Sequence, residues 1–305
     1  MPAANTGLLL NWLKNIYSSS RSLISYISGW TKDAKQMIDT KKYWEQRLSE
    51  NYNLAGVGYR LIGEQYNYWI YKVRRIIFRS VIRKFNLLNR DTSVLDIGSG
   101  TGIYISEFAA KGCKNITGID ITTLAVSQLK KKYPNYRFFT ADITDVSVTT
   151  KLNTTFNFII AMDVFFHIVD NERYYQALLN VHKLLSTSGI FLLTENPALI
   201  ASTHGHIKYR TKQEMNRLFE SAGFAVLAVV PIILLMNPPW GSSNVMLWKF
   251  SNAKLRLLSW AYKKKYKVVG FMVGMIMFPI EYVLHQAWGK KPGINSNIYL
   301  LQKTK

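Results

Sequence analysis

The chain has 305 residues, 48% of them hydrophobic and only 19% charged, a composition that supports a sizeable core and excludes an intrinsically disordered polymer. Thirty-nine Lys and Arg against 18 Asp and Glu leave a formal charge of +21, which favours an acidic partner such as phosphate, nucleic acid or an anionic membrane surface. The single cysteine, Cys113, excludes an intramolecular disulfide framework and a Cys-rich zinc site, and suits a reducing cytosol.

The charge is uneven: 15 basic and 5 acidic residues in 1–90, 9 and 10 in 91–196, and 15 and 3 in 197–305. A near-neutral middle between two basic flanks reads as a central domain with folded additions. The opening MPAANTGLLLNWLKN has no basic residue ahead of its apolar run and does not fit a secretory signal. Residues 8–27 place Leu9, Trp12, Leu13, Ile16 and Leu23 near one face of a possible helix, with Lys14 and Arg21 elsewhere. From residue 93 the pattern alternates strand and helix, which predicts an α/β fold. Strands are expected at 93–97 (SVLDI), 116–120, 136–141, 157–162 and 190–194, and helices at 104–110, 123–132 and 171–185, the last stopped by Ser-Thr-Ser-Gly. Thr211 and Glu214 form a capping box for a helix to Ser221, Gly223 ends it, and a strand follows from Phe224. NIYLLQ at 297–302 reads as a closing strand, so the residues from about 237 to 292 form an insertion before it. Two apolar stretches, 224–236 and 268–280, are 13 residues each, short of the roughly 20 that cross a bilayer as a helix. No transmembrane segment is expected.

The chemistry begins at VLDIGSGTG, 94–102. Gly98, Gly100 and Gly102 let the backbone turn from strand to helix and let a ligand lie against the main chain. A nicotinamide or flavin site favours a third glycine where this chain has Ile103. Asp96, just before the loop, would repel a pyrophosphate and attract a cationic amino-acid group. Asp120, at the tip of the second strand, can accept from both hydroxyls of a ribose, and Asp142, at the tip of the third, from an adenine amino group. Three carboxylates on successive strand ends outline an adenosine with a cationic tail.

With GID at 118–120, ADI at 141–143, AMDVFFHIVD at 161–170 and LLSTSGIFLLTENP after it, the pattern resembles the class I S-adenosylmethionine-dependent methyltransferases from about residue 66 to 224 plus the final strand. The resemblance implies a Rossmann-like sheet of seven strands with helices on both faces. It also implies S-adenosylmethionine as methyl donor and S-adenosylhomocysteine as product; from the residues themselves no metal is expected. Gly98, Ser99 and Gly100 would then line the methionine part and Asp96 face its amino group. Asp120 would hold the ribose, Ile121 pack on the adenine, and Asp142 with Ile143 bound the base, with Met162 also on the cofactor. The segment 66–75 (YNYWIYKVRR) lies where such enzymes place a lid helix, so Tyr71 or Arg75 would reach the methionine carboxylate. STSGI replaces the family's usual proline-glycine-glycine turn before the fifth strand.

Asp163 and His167 follow the fourth strand, where the substrate is expected. His167 is the candidate general base for a hydroxyl acceptor, with a packing role as the alternative. His204 and His206, without nearby Asp, Glu or Cys, make a poor metal site. NPPW at 237–240 resembles a base-gripping motif of nucleic-acid methyltransferases but follows the wrong strand, and reads as a proline-bounded exit turn. AKLRLLSWAYKKKYK at 253–267, followed directly by VVGFMVGMIMFPI, reads either as a lid over the acceptor pocket or as an interfacial membrane anchor.

The expected organisation is an N-terminal helical extension or lid (1–90), a cofactor-binding core (91–236), a helical insertion (237–293) and a closing strand (294–305). The expected enzyme is a cytoplasmic methyltransferase, with peripheral membrane association as a second expectation, acting on a hydroxyl of a hydrophobic, lipid-linked or glycosylated small molecule. Methylation of nucleic acid or protein is the alternative acceptor reading, and a non-catalytic S-adenosylmethionine-binding protein the alternative from another class.

Overall fold

A computed structural model describes residues 39–288 and 295–304. The amphipathic pattern of residues 8–27 lies outside them. The chain begins with α1 (Thr40–Glu50), a short α2 (Leu54–Val57), a 3-10 turn at Arg60–Ile62 and the long α3 (Gly63–Lys84). The core then alternates as β1 (Val94–Ile97), α4 (Ile103–Ala110), β2 (Ile116–Asp120), α5 (Thr123–Lys132), β3 (Arg137–Thr140), α6 (Ser147–Leu152) and β4 (Phe156–Ala161). A 3-10 turn at Phe165–His167 leads to α7 (Asn171–Leu184), β5 (Leu185–Glu195), and a small hairpin of β6 (Ser202–His204) and β7 (Ile207–Tyr209). The rest is α8 (Lys212–Ser221), β8 (Phe224–Pro231), the helical pair α9 (Val245–Lys263) and α10 (Lys267–Trp288), and β9 (Asn297–Lys303).

Seven strands form one sheet in the order β3-β2-β1-β4-β5-β9-β8. The first five run parallel, and β9 is antiparallel to both of its neighbours. The order reverses between β1 and β4, which leaves a crevice at the carboxyl ends of these strands. Strand alternation covers both faces: Ile298 and Leu300 of β9 join the core under α3 and α4, while Tyr299 and Leu301 join the one under α7 and α8. Thr211 caps α8 through the Glu214 N–H at 3.1 Å, as the capping box predicts.

Two expectations change. Ser-Thr-Ser-Gly is no turn between helix and strand, because β5 already starts at Leu185 and the extra residues enter the ladder as an irregularity between the Phe156–Leu185 and Phe158–Ile190 pairs. The apolar stretch 268–280 is the N-terminal part of the 22-residue α10, and over Lys267–Ala287 that helix is long and apolar enough to cross a membrane. Glu281, the charged residue that follows the stretch, is wholly buried, and apolar residues continue beyond it.

Candidate functional site

The β1–α4 loop is built on three glycines with left-handed φ: Gly98 (71°), Gly100 (50°) and Gly102 (78°). A Cβ on Gly98 would sit 2.4 Å from Val164 Cγ2, so this position admits only glycine. The loop is tied to the second strand by Asp120, whose Oδ2 accepts from Gly100 N at 2.9 Å and whose Oδ1 accepts from Thr122 N (2.9 Å) and Oγ1 (2.7 Å). Burial pushes the Asp120 carboxyl above its usual range against these hydrogen bonds.

A cavity of about 460 Å³ opens along this edge. Of the residues expected from the sequence, Gly98, Ser99, Gly100, Asp120, Ile121, Asp142, Ile143, Met162, Asp163, His167 and Tyr71 line it. Asp142 is shared with protein partners: Oδ1 caps its own turn through Thr144, and Oδ2 accepts from Arg173 at 2.8 Å. Three expected residues lie elsewhere. Gly102 ends the loop as the residue before α4 and does not reach the wall. Asp96 sits behind the wall, 2% exposed, with Oδ2 lacking a protein partner, and burial pushes its carboxyl up to about 8. Arg75 faces away from both cavities, where it and Arg79 hold Glu107.

Arg74, one residue earlier on α3, is the arginine at the site. Its Nη1 donates to Asp163 Oδ1 at 2.7 Å in a nearly buried pair. Asp163 has a left-handed φ of 62°, and its N–H donates to Thr194 Oγ1 at 2.6 Å. This carboxylate is therefore engaged in holding the turn after β4, which argues against the expected catalytic role and for a positioning one.

A second, larger cavity of about 1150 Å³ adjoins the first, and the two share Trp44, Val57, Tyr71, Asp163 and His167. Its aromatic wall includes Tyr59, Phe166, Tyr209 and Trp240, with Asn196, Asn237 and Asn295 among its polar groups. Trp240 stacks on Tyr209 at 4.3 Å, so the NPPW exit turn also supplies a wall of this chamber. At the junction His167 Nδ1 donates to His206 O at 3.1 Å, which leaves Nε2 as the ring's lone-pair nitrogen. Burial, with His206 beside it, holds His167 well below the usual histidine range, so the imidazole is neutral at neutral pH. His206 Nε2 pairs with Tyr43 Oη at 3.2 Å, and Arg47 donates to the same hydroxyl at 2.9 Å. Among the described residues no group of three or more His, Cys, Asp or Glu is arranged to hold a metal.

Sequence reasoning missed α1, which brings Tyr43, Trp44 and Arg47 to this junction, and Glu45, which accepts from Thr123 N and Leu124 N and so caps α5. TKKYWEQRL carries no motif; the only local signal is Asp39 as N-cap, accepting from Lys42 N.

Residues 68–229, just over half of the chain, match the sequence profile of a family described as a methyltransferase domain. The chain belongs to the class I S-adenosylmethionine-dependent methyltransferases. It is an enzyme of that class, with S-adenosylmethionine as its cofactor. No curated protein matches the sequence. Among solved structures, magnesium protoporphyrin IX methyltransferase from Synechocystis PCC 6803 with bound SAH is similar over 87% of this chain and 100% of its own, at 13% identity and a TM-score of 0.50, which shows a common fold. An S-adenosylmethionine-dependent methyltransferase from Clostridium acetobutylicum matches at 13% identity over 77% of this chain and 92% of its own, TM-score 0.46. A 1,6-didemethyltoxoflavin-N1-methyltransferase from Burkholderia thailandensis matches at 14% over 78% and 79%, TM-score 0.45.

The residues of the smaller cavity fit the methyltransferase cofactor. Its glycine cradle has no room for side chains, and two of its lining residues, Thr101 and Tyr104, carry buried hydroxyls without protein partners, as does the carboxylate oxygen Asp96 Oδ2 just behind the wall. A ligand bearing both an ammonium and a carboxylate meets that mixture of acceptor and donors.

Proposed function

We propose that this methyltransferase transfers a methyl group to a hydroxyl of a small hydrophobic or glycosylated acceptor held in the larger cavity. The observation that carries this reading is the shared wall of the two cavities, where His167 borders both. Bound S-adenosylmethionine supplies an electrophilic methyl carbon with a neutral thioether as leaving group. Gly98, Ser99 and Gly100 bind its amino-acid part along the main chain. Asp120 has capacity for one more donor beyond its three protein hydrogen bonds, enough for one ribose hydroxyl and short of the two expected from the sequence. Ile121 and Ile143 flank the base, and Asp142 offers it whatever capacity Arg173 leaves.

On the acceptor side, His167 Nε2 takes the hydroxyl proton as oxygen attacks the methyl carbon, and the Nδ1–H bond to His206 O fixes the required tautomer. Arg74 and Asp163 hold the turn that carries His167. The stacked Tyr209 and Trp240 offer flat apolar faces with carboxamides nearby, a chamber suited to a ring or sugar scaffold.

The test is transfer of labelled methyl groups from S-adenosylmethionine into fractionated extract, with His167→Gln as the acceptor-side variant. Label is expected in a small-molecule or lipid pool. The variant should keep cofactor affinity while its turnover falls by about 100-fold or more. Undiminished turnover in His167→Gln would remove the base assignment. Label confined to nucleic acid or protein, with affinity falling steeply with salt, would replace the small-molecule reading by one in which the +21 charge selects the acceptor.

A further inference from the structure

The hairpin of α9 and α10 turns an apolar face to solvent. On α10, Val268, Met272, Met275, Ile276, Ile280 and Val283 recur at helical spacing and are all exposed, Val268 by 71% and Val283 by 62%. On α9, Phe250, Leu257 and Trp260 are exposed as well. Soluble surfaces seldom present a continuous apolar stripe of this length without a partner.

The opposite side of α10 is committed to the protein. Gly270 and Gly274 let it lie against α3, where a Cβ on Gly274 would come within 2.1 Å of Trp69 Cδ1. Glu281, wholly buried, accepts hydrogen bonds from the backbone N–H groups of Leu234, Leu235 and Met236. Lys254 of α9 donates to Leu235 O beside it. The 22 residues of α10 are long enough to span a bilayer, but spanning would tear out this carboxylate and expose it to hydrocarbon.

Charge identifies the partner. From residue 221 to the end of the sequence Glu281 is the single acidic residue. The turn joining the two helices carries Lys263, Lys264, Lys265 and Lys267, all exposed, with Tyr262 and Tyr266 among them. Exposed lysines and aromatic rings beside an apolar helical face complement anionic headgroups over acyl chains. We propose that the α9–α10 hairpin docks this enzyme on the surface of an anionic lipid bilayer, with α10 lying in the plane of the interface. The 3-10 turn Arg60–Ile62 packs against α9, and Arg60 and Leu61 line the larger cavity, so docking brings one rim of that chamber toward the headgroups.

The test uses the full chain without cofactor or acceptor, so its outcome is independent of the methyl-transfer reading. Co-sedimentation is measured with phosphatidylcholine vesicles and with vesicles in which about a third of the lipid is phosphatidylglycerol. Wild-type protein should bind the anionic vesicles at least about tenfold better, and a Lys263→Gln/Lys264→Gln/Lys265→Gln/Lys267→Gln variant should lose that preference. Ile276→Ser/Val283→Ser should weaken binding to the same vesicles, while an unchanged melting temperature shows that both variants fold. Three outcomes would each overturn the proposal: no vesicle binding by wild type, undiminished binding by both variants, or bound protein that resists an alkaline wash as a spanning helix does. Self-association that Ile276→Ser/Val283→Ser abolishes, without vesicle binding, would assign the face to a second copy of the chain.

Discussion

Arg74 and Arg75 are adjacent on α3, yet their energetics differ because a helix sends neighbours about 100° apart. Arg75 is half-exposed and shares Glu107 with Arg79, so its loss leaves that carboxylate paired. Arg74 is the ion-pair partner of Asp163, the two side chains being 7% and 16% exposed, and its removal leaves that carboxylate without a counter-charge beside Tyr71 and Tyr104, held only by the Thr194 hydroxyl. Breaking a buried pair from one side costs about 3 kcal/mol or more, whereas a surface pair is worth under about 1 kcal/mol. Arg74→Met should therefore shift the urea midpoint clearly and Arg75→Met barely. Comparable losses from the two would show that Asp163 is solvated by another route. The same comparison should separate their effects on turnover, since Arg74 borders the larger cavity and Arg75 neither.

At the scale of elements, legibility follows how local the determining physics is. The strand 116–120 and the helix 123–132 coincide with β2 and α5, because β-branched residues and the Thr122 N-cap act within a few positions. The glycine loop was legible for the same reason, since left-handed φ at three positions leaves one residue type. The lid helix was legible as an element, while the register that decides between Arg74 and Arg75 was not. That depends on Tyr66, Ile70, Val73 and Ile77 facing the core, in a helix whose opposite side is itself covered by α10. The larger, aromatic cavity was not readable either, for it joins α1, β7 and the NPPW turn from positions up to 200 residues apart. The α3–α10 contact makes its own prediction at Gly274. Alanine in a helix gains about 1 kcal/mol over glycine, and overpacking costs about 1–3 kcal/mol. A Cβ at 2.1 Å from the Trp69 ring lies far inside contact distance, so the clash outweighs the propensity. Gly274→Ala should lower the melting temperature and speed tryptic cleavage at Lys263–Lys267; a stabilised protein would mean that Trp69 has room to turn aside.

Over the whole molecule, buried titratable groups act on stability from both sides of neutrality. Burial raises Asp96 to about 8 and Glu195 to about 7 in the folded protein, against about 4 in the unfolded chain. Between those values the folded state holds protons that the unfolded state has released, so stability falls as pH rises toward 8. Burial lowers His206 to about 4 and His167 further below its usual range. There the unfolded chain takes up protons that the folded state refuses, so stability also falls as pH drops below about 6.5. Between about pH 4.5 and 6.5 these two pulls oppose one another and the stability of the unliganded protein stays nearly level; above about 6.5 only the carboxyls act and stability falls toward pH 8, the upper part of that fall belonging to Asp96. Thermal unfolding from pH 5 to 9 should show this curve, and Asp96→Asn, which removes a pull acting from about pH 4 to 8, should flatten the alkaline fall and let stability decline on the acid side. The cofactor couples to the same group: a cation bound near Asp96 favours its ionised form, so saturating S-adenosylmethionine should raise the melting temperature of wild type more than that of Asp96→Asn at pH 8. Equal shifts in the two proteins would separate Asp96 from the cofactor and return it to a purely structural part in the β1 edge.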